Sequence, residues 1–484
     1  PLRLEGSTLY LERLFGEERA VADDLRSLAG SPPERVDAAV LEEGLRRLFG
    51  DAPGGRQAQA AEAAVRRRLA VVAGGPGTGK TTTIARVAAL LHEQAAAAGA
   101  PPPLVALAAP TGKAATRLEQ AVREQAAGLP VGEDARAWLL GLQATTLHRL
   151  LGWRPSGAGR FRHHRGNRLP HDVVIVDETS MVSLSLMARL VEAVRDRARL
   201  VLVGDPAQLA SVEAGAVLGD IVGAGDGEGI VVLERVHRFG EAIARVADAV
   251  RRGDAHGAVA ALRADPERVT WIDADAAEAG AEALDPVRRG AVAAARAAVE
   301  AGRRGDAVAA LEALTAFRLL CAHRRGPHGV ALWSARVERW LADAVEGFEP
   351  GAEWYPGRPL LVTRNDYALR LSNGDVGVAV ADADGRLTAA FERRGEVVRV
   401  APGRLEAVET VHAMTVHKSQ GSQFAAAAVV LPDPASPLLT RELLYTALTR
   451  AQQQLTVVGT EAALRAAIER PIARASGLGA RLWR

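Results

Sequence analysis

Gly74-Gly75-Pro76-Gly77-Thr78-Gly79-Lys80-Thr81 decides how the rest of this chain is read. Its spacing is G-x-x-x-x-G-K-[ST], a phosphate-binding loop. The apolar run Leu69-Ala70-Val71-Val72-Ala73 before it predicts a buried strand, and Thr82 to Leu91 after it predicts a helix. Strand, glycine loop and helix N-terminus together aim free N–H groups at an anion. The glycines remove side chains that would clash with phosphate oxygens. Lys80 is placed to reach the β- and γ-phosphates, and the Thr81 hydroxyl to hold Mg2+. Gly74, Gly75, Pro76, Gly77, Thr78, Gly79, Lys80, Thr81 and Thr82 are therefore the expected nucleotide-binding residues, with ATP and Mg2+ as ligands.

The chain has 484 residues, which at roughly 150 per domain suggests about three domains. Its 48% apolar content is ordinary for a globular protein with large cores. With Lys+Arg 60 and Asp+Glu 58 the net charge is +2, so any nucleic-acid surface must be local. The single cysteine, Cys321, lies in the apolar run from Phe317 to Ala322 and reads as a buried, reduced core residue. No Cys/His metal spacing and no disulfide framework are present, which fits a reducing cytoplasm. No apolar run approaches about 18 residues, so membrane insertion is not expected. The first residue is Pro1, not Met, and a trimmed N-terminus is expected.

Residues 1–50 read as a helical lead-in, with Leu9, Leu11, Leu14, Phe15, Val21, Leu25 and Leu28 at rough helical spacing. From Gln57 to about Ile230, apolar runs alternate with helix-like stretches, which predicts an α/β parallel sheet with ligands at the strand C-termini. The segment 153–171, rich in Gly, Arg and His, reads as a small insert in that unit. Residues 255–313 read as helical. A second α/β unit follows, with strands expected at Phe317–Ala322, Ala425–Leu431 and Leu455–Val458. Inside it, 359–402 reads as all-β, because Asn373-Gly374 and Asp384-Gly385 are hairpin turn signals between alternating apolar residues.

Val173-Val174-Ile175-Val176-Asp177-Glu178 is a strand ending in two carboxylates. Asp177 suits Mg2+ and Glu178 suits the base that orients an attacking water. Leu200 to Gln208 is another strand with polar residues at its end, and Gln208 is placed to sense a γ-phosphate. Phosphoryl transfer also calls for cations beyond the γ-phosphate, worth about 10³–10⁵ in rate; Arg238 and Arg450 in the second unit are the candidates, and two units would then close on one nucleotide. Three further stretches are dense in short polar groups suited to gripping phosphates. They are Pro110-Thr111-Gly112-Lys113, Thr145-Thr146-Leu147-His148 and Thr415-Val416-His417-Lys418-Ser419-Gln420. Each could equally be a loop or a helix cap. These residues alone leave open a DNA motor, a DNA-independent P-loop ATPase and a structural subunit with a vestigial motor.

Taken in order, these segments resemble superfamily 1 helicases of the B branch, and within it the RecD family, over nearly the whole chain. Gln57 has the position of that family's adenine-reading glutamine. Residues 109–114, 145–151, 177–180, 204–209, 235–239, 415–423 and 445–450 resemble its successive motifs. Cys321-Ala322-His323-Arg324-Arg325-Gly326 and Thr363-Arg364-Asn365-Asp366 resemble segments particular to RecD-like proteins, which adds Asn365 to the expected DNA contacts.

The resemblance implies a 5′→3′ single-stranded DNA helicase with two RecA-like units, 51–230 and 231–358 plus 403–484, and an SH3-like insert at 359–402. It implies an insert at 153–171 near the point of strand separation, where Trp153 or Phe161 would act as a wedge or simply pack. It implies work with RecB and RecC as the α subunit of exodeoxyribonuclease V, on single-stranded and duplex-end DNA, in recombination and break repair. No acidic cluster suited to two-metal DNA cleavage is evident, and in this family the nuclease belongs to RecB. Only about 50 residues precede the motor, so either residues 1–50 are a remnant of the region that docks on RecC, the rest being trimmed, or docking uses other surfaces. A stand-alone RecD-like helicase is the alternative.

Overall fold

The computed structural model describes all residues except 1, 7, 32–34, 51–53, 155–160, 212, 214, 226–228, 235–239, 367, 394, 474–475 and 483–484. The chain forms two compact units, residues 1–237 with 473–484, and residues 238–472.

The first unit begins with a hairpin, β1 (Leu2–Glu5) and β2 (Thr8–Leu11), not with the expected helix. The leucines at 2, 4, 9 and 11 alternate with polar residues, a period of two, and Gly6 turns the chain with φ +59°. Leu2 pairs with Leu11 and Leu4 with Leu9, while Tyr10 on the other face is buried. The strands of the main sheet are β3 (Leu69–Gly74), β4 (Val105–Ala109), β5 (Ala144–Thr146), β6 (Val173–Val176), β7 (Arg199–Gly204) and β8 (Ile230–Leu233). They lie in the order β5-β4-β6-β7-β3-β8, and every pairing is parallel. Such a sheet is covered on both faces, which is why its strands read as continuous apolar runs. Leu69, Val71, Leu200 and Leu202 enter one core; Ala70, Val72, Val201 and Val203 enter the other.

Residues 1–50 are divided between those two cores. Val21, Ala22, Leu25 and Leu28, on the helix Glu12–Ala29, fill the first; Leu41, Leu45 and Leu48, on the helix Ala38–Phe49, fill the second. The boundary expected near 230 is corrected to 237, because β8 completes the sheet edge beside β3.

In the second unit, β9 (Val269–Ile272) interrupts the stretch expected to be helical. Then come β10 (Phe317–Cys321) and an insert of β11 (Pro359–Val362), β12 (Val376–Ala381), β13 (Leu387–Arg393), β14 (Glu396–Val400) and β15 (Val408–Thr410). The chain continues with β16 (Ala413–Thr415), β17 (Phe424–Val430) and β18 (Ala451–Val458). The main sheet is parallel in the order β16-β10-β17-β18-β9. The insert is antiparallel in the order β14-β13-β12-β11-β15 and runs to Thr410, beyond the expected end at 402, because β15 returns to pair with β11. Val378, Val380 and Ala390 pack on Ala298, Ala301, Ala307 and Ala310 of two neighbouring helices, while Leu360, Leu371 and Phe391 form a separate small core.

The assignment of 403–484 to the second unit fails at its end. Residues 473–484 belong to the first unit, where Leu478 and Leu482 of the helix Leu478–Leu482 join the core around Leu25. Glu18 anchors this segment: Gly477 N and Arg481 Nε each donate to it at 3.1 Å. Ser476 Oγ donates to Asp220 at 2.7 Å.

Candidate nucleotide and DNA sites

The phosphate loop connects β3 to the helix Lys80–Ala97. Gly77 and Gly79 have φ of +80° and +85°, a backbone that side-chain-bearing residues adopt only under strain. Thr78 Oγ1 donates to Gly75 O at 2.9 Å and stiffens the curl. Lys80 folds back over the loop, its Nζ 2.6 Å from Gly74 O and 2.8 Å from Gly75 O.

Gln57 lies directly against this loop. Its Nε2 donates to Thr78 O at 2.9 Å, and a Cβ at Gly79 would sit 2.2 Å from it. Arg86, on the face of the same helix, donates to Gln57 Oε1 at 3.3 Å and stacks 4.6 Å from the Phe49 ring. Arg86 and Phe49 carry no signal in the sequence, because Arg86 meets Gln57 across 29 positions and Phe49 meets Arg86 through a ring contact that has no motif.

Parallel strands bring every C-terminus to one sheet edge. Asp177 follows β6, and its N donates to Ala108 O of β4 at 2.9 Å. Its carboxylate accepts from Glu178 N at 2.8 Å. Burial first, then the charge of Glu178, pushes the Asp177 carboxyl up to about 7, against the pull of the Glu178 N–H and of Lys80. Glu178 sits at φ +51°, a left-handed backbone rare for a residue with a side chain. Gly204 at the end of β7 lets the 178–181 turn approach closely, since a Cβ there would lie 3.1 Å from Thr179 N and 3.2 Å from Ser180 N. Gln208 follows, buried, its Nε2 donating to Asp205 Oδ2 at 3.0 Å. Lys80, Asp177, Glu178 and Gln208 all follow the C-terminal ends of strands of one parallel sheet and so lie along one edge of it.

At the same edge Thr111 caps the helix Gly112–Gly128 by accepting from Ala114 N, and Thr146 accepts from Arg149 N. Pro110 and Lys113 flank the first cap. His148 packs against Trp153 and Phe161, with ring centroids 6.3 and 5.9 Å away, and burial lowers its pKa. Phe161 packs on the core, whereas Trp153 is exposed.

In the second unit the expected DNA-contacting stretch forms a tight turn after β16. Thr415 Oγ1 accepts from Lys418 N, and Lys418 Nζ pairs with Glu409 at 3.1 Å. His417 and Gln420 flank it. Ser419 is fully buried and its hydroxyl donates to Val416 O at 2.7 Å, which ties the turn together. Arg450 is buried too. Its guanidinium donates to Thr446 O, Ser422 O and Thr449 Oγ1 at 2.9, 3.1 and 3.3 Å. It does not project as a free cation. Arg238 lies outside the described residues. Asn365, exposed in the insert, accepts from Asn373 N at 2.8 Å. Cys321 is fully buried and its thiol is pushed up by burial, as expected of a core residue.

A family model described as an AAA domain matches residues 53–274, and one described as a UvrD-like helicase C-terminal domain matches residues 410–458. The chain is 54% identical over 486 residues to the RecBCD enzyme subunit RecD of Mycolicibacterium smegmatis, covering 99% of this chain and 83% of that protein. The chain belongs to the RecD family. The RecBCD enzyme subunit RecD of Mycobacterium tuberculosis is 51% identical over 479 residues, covering 98% of this chain and 80% of that one. The ATP-dependent RecD2 DNA helicase of Deinococcus radiodurans is 31% identical over 467 residues, covering 96% of this chain and 56% of its own length. As a RecD-type superfamily 1 protein, the chain is an ATP-dependent DNA helicase with an α/β helicase fold. Among the described residues no helix is long and apolar enough to cross a membrane.

Proposed function

We propose that the chain is a 5′→3′ single-stranded DNA translocase that works with RecB- and RecC-type subunits. The observation that carries the reading is the gathering of Lys80, Asp177, Glu178 and Gln208 at one sheet edge, in a chain 54% identical to a RecD subunit. ATP is the substrate. The Lys80 ammonium leaves Gly74 O and Gly75 O for the β- and γ-phosphate oxygens, and the loop N–H groups take the remaining oxygens. Gln57, already donating beside the loop, reads the adenine.

The residues fit Mg2+: the Thr81 hydroxyl lies in the first turn of the helix, the Asp177 carboxylate follows β6, and buried Ser180 Oγ, three positions on, has no partner among the described residues. When bound, the ion offsets negative charge on the phosphate oxygens. Glu178, in its strained backbone, orients the attacking water, and Gln208 senses the γ-phosphate. Arg450 would exchange its internal acceptors for phosphate oxygens, with Arg238 the second candidate cation.

Pro110, Thr111, Lys113, Thr146, His148, Thr415, His417, Lys418, Gln420 and Asn365 are the proposed DNA contacts, with Ser419 supporting their turn. The antiparallel insert is read as SH3-like, the two units as RecA-like, and the location as cytoplasmic. No nuclease activity of its own is proposed for the chain.

The test is Lys80→Gln. ATP hydrolysis stimulated by single-stranded DNA should vanish while DNA binding persists; hydrolysis at the parent rate would remove Lys80 from the site. Polarity is tested by unwinding duplexes with a 5′ or a 3′ tail, with and without RecB and RecC. Unwinding from the 3′ tail alone contradicts the assignment.

A further inference from the structure

The segment His323-Arg324-Arg325-Gly326 has no role in the site described above. It leaves the sheet at the C-terminus of β10, directly beside the turn that follows β16. Cys321 pairs with Thr415, and the last rung is Val416 N donating to Cys321 O at 2.9 Å. The two segments therefore emerge side by side, at the edge where open α/β sheets place their ligands.

The loop is stapled at both ends. His323 Nε2 lies 2.9 Å from Ser436 Oγ, and His328 Nε2 lies 2.9 Å from Asp275 Oδ1. Val330 N and Ala331 N, at the start of the helix Val330–Ala344, donate back to His323 O and Arg324 O. Gly326 turns with φ +88°, and a Cβ at Gly329 would lie 2.4 Å from Arg325 O, so the loop closes on itself with no room for a side chain there. Both histidines are thereby used as anchors. Arg324 and Arg325 are left exposed, and neither guanidinium has a partner among the described residues. Two uncommitted guanidinium groups on a fixed loop form a preorganised receptor for phosphates, which arginine can bind in two-pronged fashion.

We propose that Arg324 and Arg325 bind successive phosphates of single-stranded nucleic acid and extend the phosphate-gripping row begun by His417 and Lys418. The inference rests on the motor reading above. The stapling supplies what a mobile arginine lacks: the loop does not have to be ordered when the strand arrives, so less of the interaction is lost to entropy.

The experiment uses the full chain and fluorescein-labelled oligothymidylate, with the dissociation constant measured across a salt series. Each phosphate contact contributes about 0.7 to the slope of log K against log salt for a single strand. Arg324→Ala combined with Arg325→Ala should therefore flatten the slope by about 1.4, with an unchanged melting temperature. Arg324→Lys combined with Arg325→Lys should recover the slope, because charge is restored, but not all of the affinity. If the parent chain binds and the double alanine variant keeps the parent slope, the inference is overturned and an acidic protein surface becomes the better occupant. If the parent chain fails to bind the oligonucleotide, the motor reading falls and this inference falls with it.

Discussion

Replacing Glu18 with alanine should release the C-terminal segment from the first unit. Glu18 is almost fully buried on the helix Glu12–Ala29 and accepts at 3.1 Å from both Gly477 N and Arg481 Nε. Hydrogen bonds to a charged group are worth about 1.5–3 kcal/mol each, so the gross loss is about 3–6 kcal/mol. Removing the carboxylate also removes its cost of burial, and removing one partner of a buried pair costs about 3–5 kcal/mol net. Arg481 retains Glu5 and is 20% exposed, which places the expected loss near the low end, about 3 kcal/mol. For a unit of this size that corresponds to a fall of about 6–12 °C in melting temperature. Calorimetry measures the fall, and hydrogen exchange at the Gly477 and Leu478 amides localises it. Glu18→Gln separates charge from hydrogen bonding. Burial, with Asp220 adding, raises the Glu18 carboxyl above its usual range, so the folded chain holds that proton to higher pH than the unfolded chain. Its stabilising effect is present below the ordinary carboxylate range and is lost as pH rises through the raised value. Glu18→Gln should abolish that decline. Parent-like melting of Glu18→Ala, with Gly477 still protected, would refute the reasoning.

Three other outcomes are expected. His412 is buried, bonded to Tyr355 at 2.8 Å, and held down to about 3 by burial first and then by Arg318 and Arg358. It is neutral when folded and protonates when unfolded, so stability falls as pH drops from about 6.5 towards 3, by at most about 1.4 kcal/mol per pH unit. His412→Asn should flatten the melting temperature across that window, and an unchanged profile would count against this. Trp333 is fully buried, yet its Nε1 has no partner among the described residues. Trp333→Ala should cost about 3–5 kcal/mol in urea unfolding, while Trp333→Phe, which discards the unpaired donor, should cost clearly less; equal losses would contradict the packing argument. Gln57→Ala should narrow the preference for ATP over other nucleoside triphosphates by up to about tenfold, the worth of one hydrogen bond. Competition binding with the four triphosphates reads it, and an unaltered ranking removes Gln57 from base recognition.

Much of the first unit was legible because parallel strands buried on both faces announce themselves as apolar runs, and because Lys80, Asp177 and Gln208 stand where those runs stop. The short elements were not. β9 has four residues among alanine-rich helices and β16 has three, too few for any period to register. The hairpin at 2–11 is hidden in the sequence because Leu9 and Leu11 also satisfy a loose helical spacing once Leu14 and Phe15 are counted. Arg450 illustrates a different limit. Its position in a motif is visible in the sequence, but three internal acceptors around one guanidinium depend on packing that no local pattern encodes. Ser419 is similar, since a hydroxyl turned inward and one turned outward are the same letter.

The return of residues 473–484 to the first unit also bears on how the protein is made. Leu478 and Leu482 complete a core whose other members, such as Leu25 and Leu202, emerge from the ribosome hundreds of residues earlier. Everything needed for the second unit, 238–472, is already synthesised before that closing piece appears. Domains usually finish in the order they are translated. Here the unit that starts first is the one that finishes last, because its core lacks two leucines until residues 478–482 have been made.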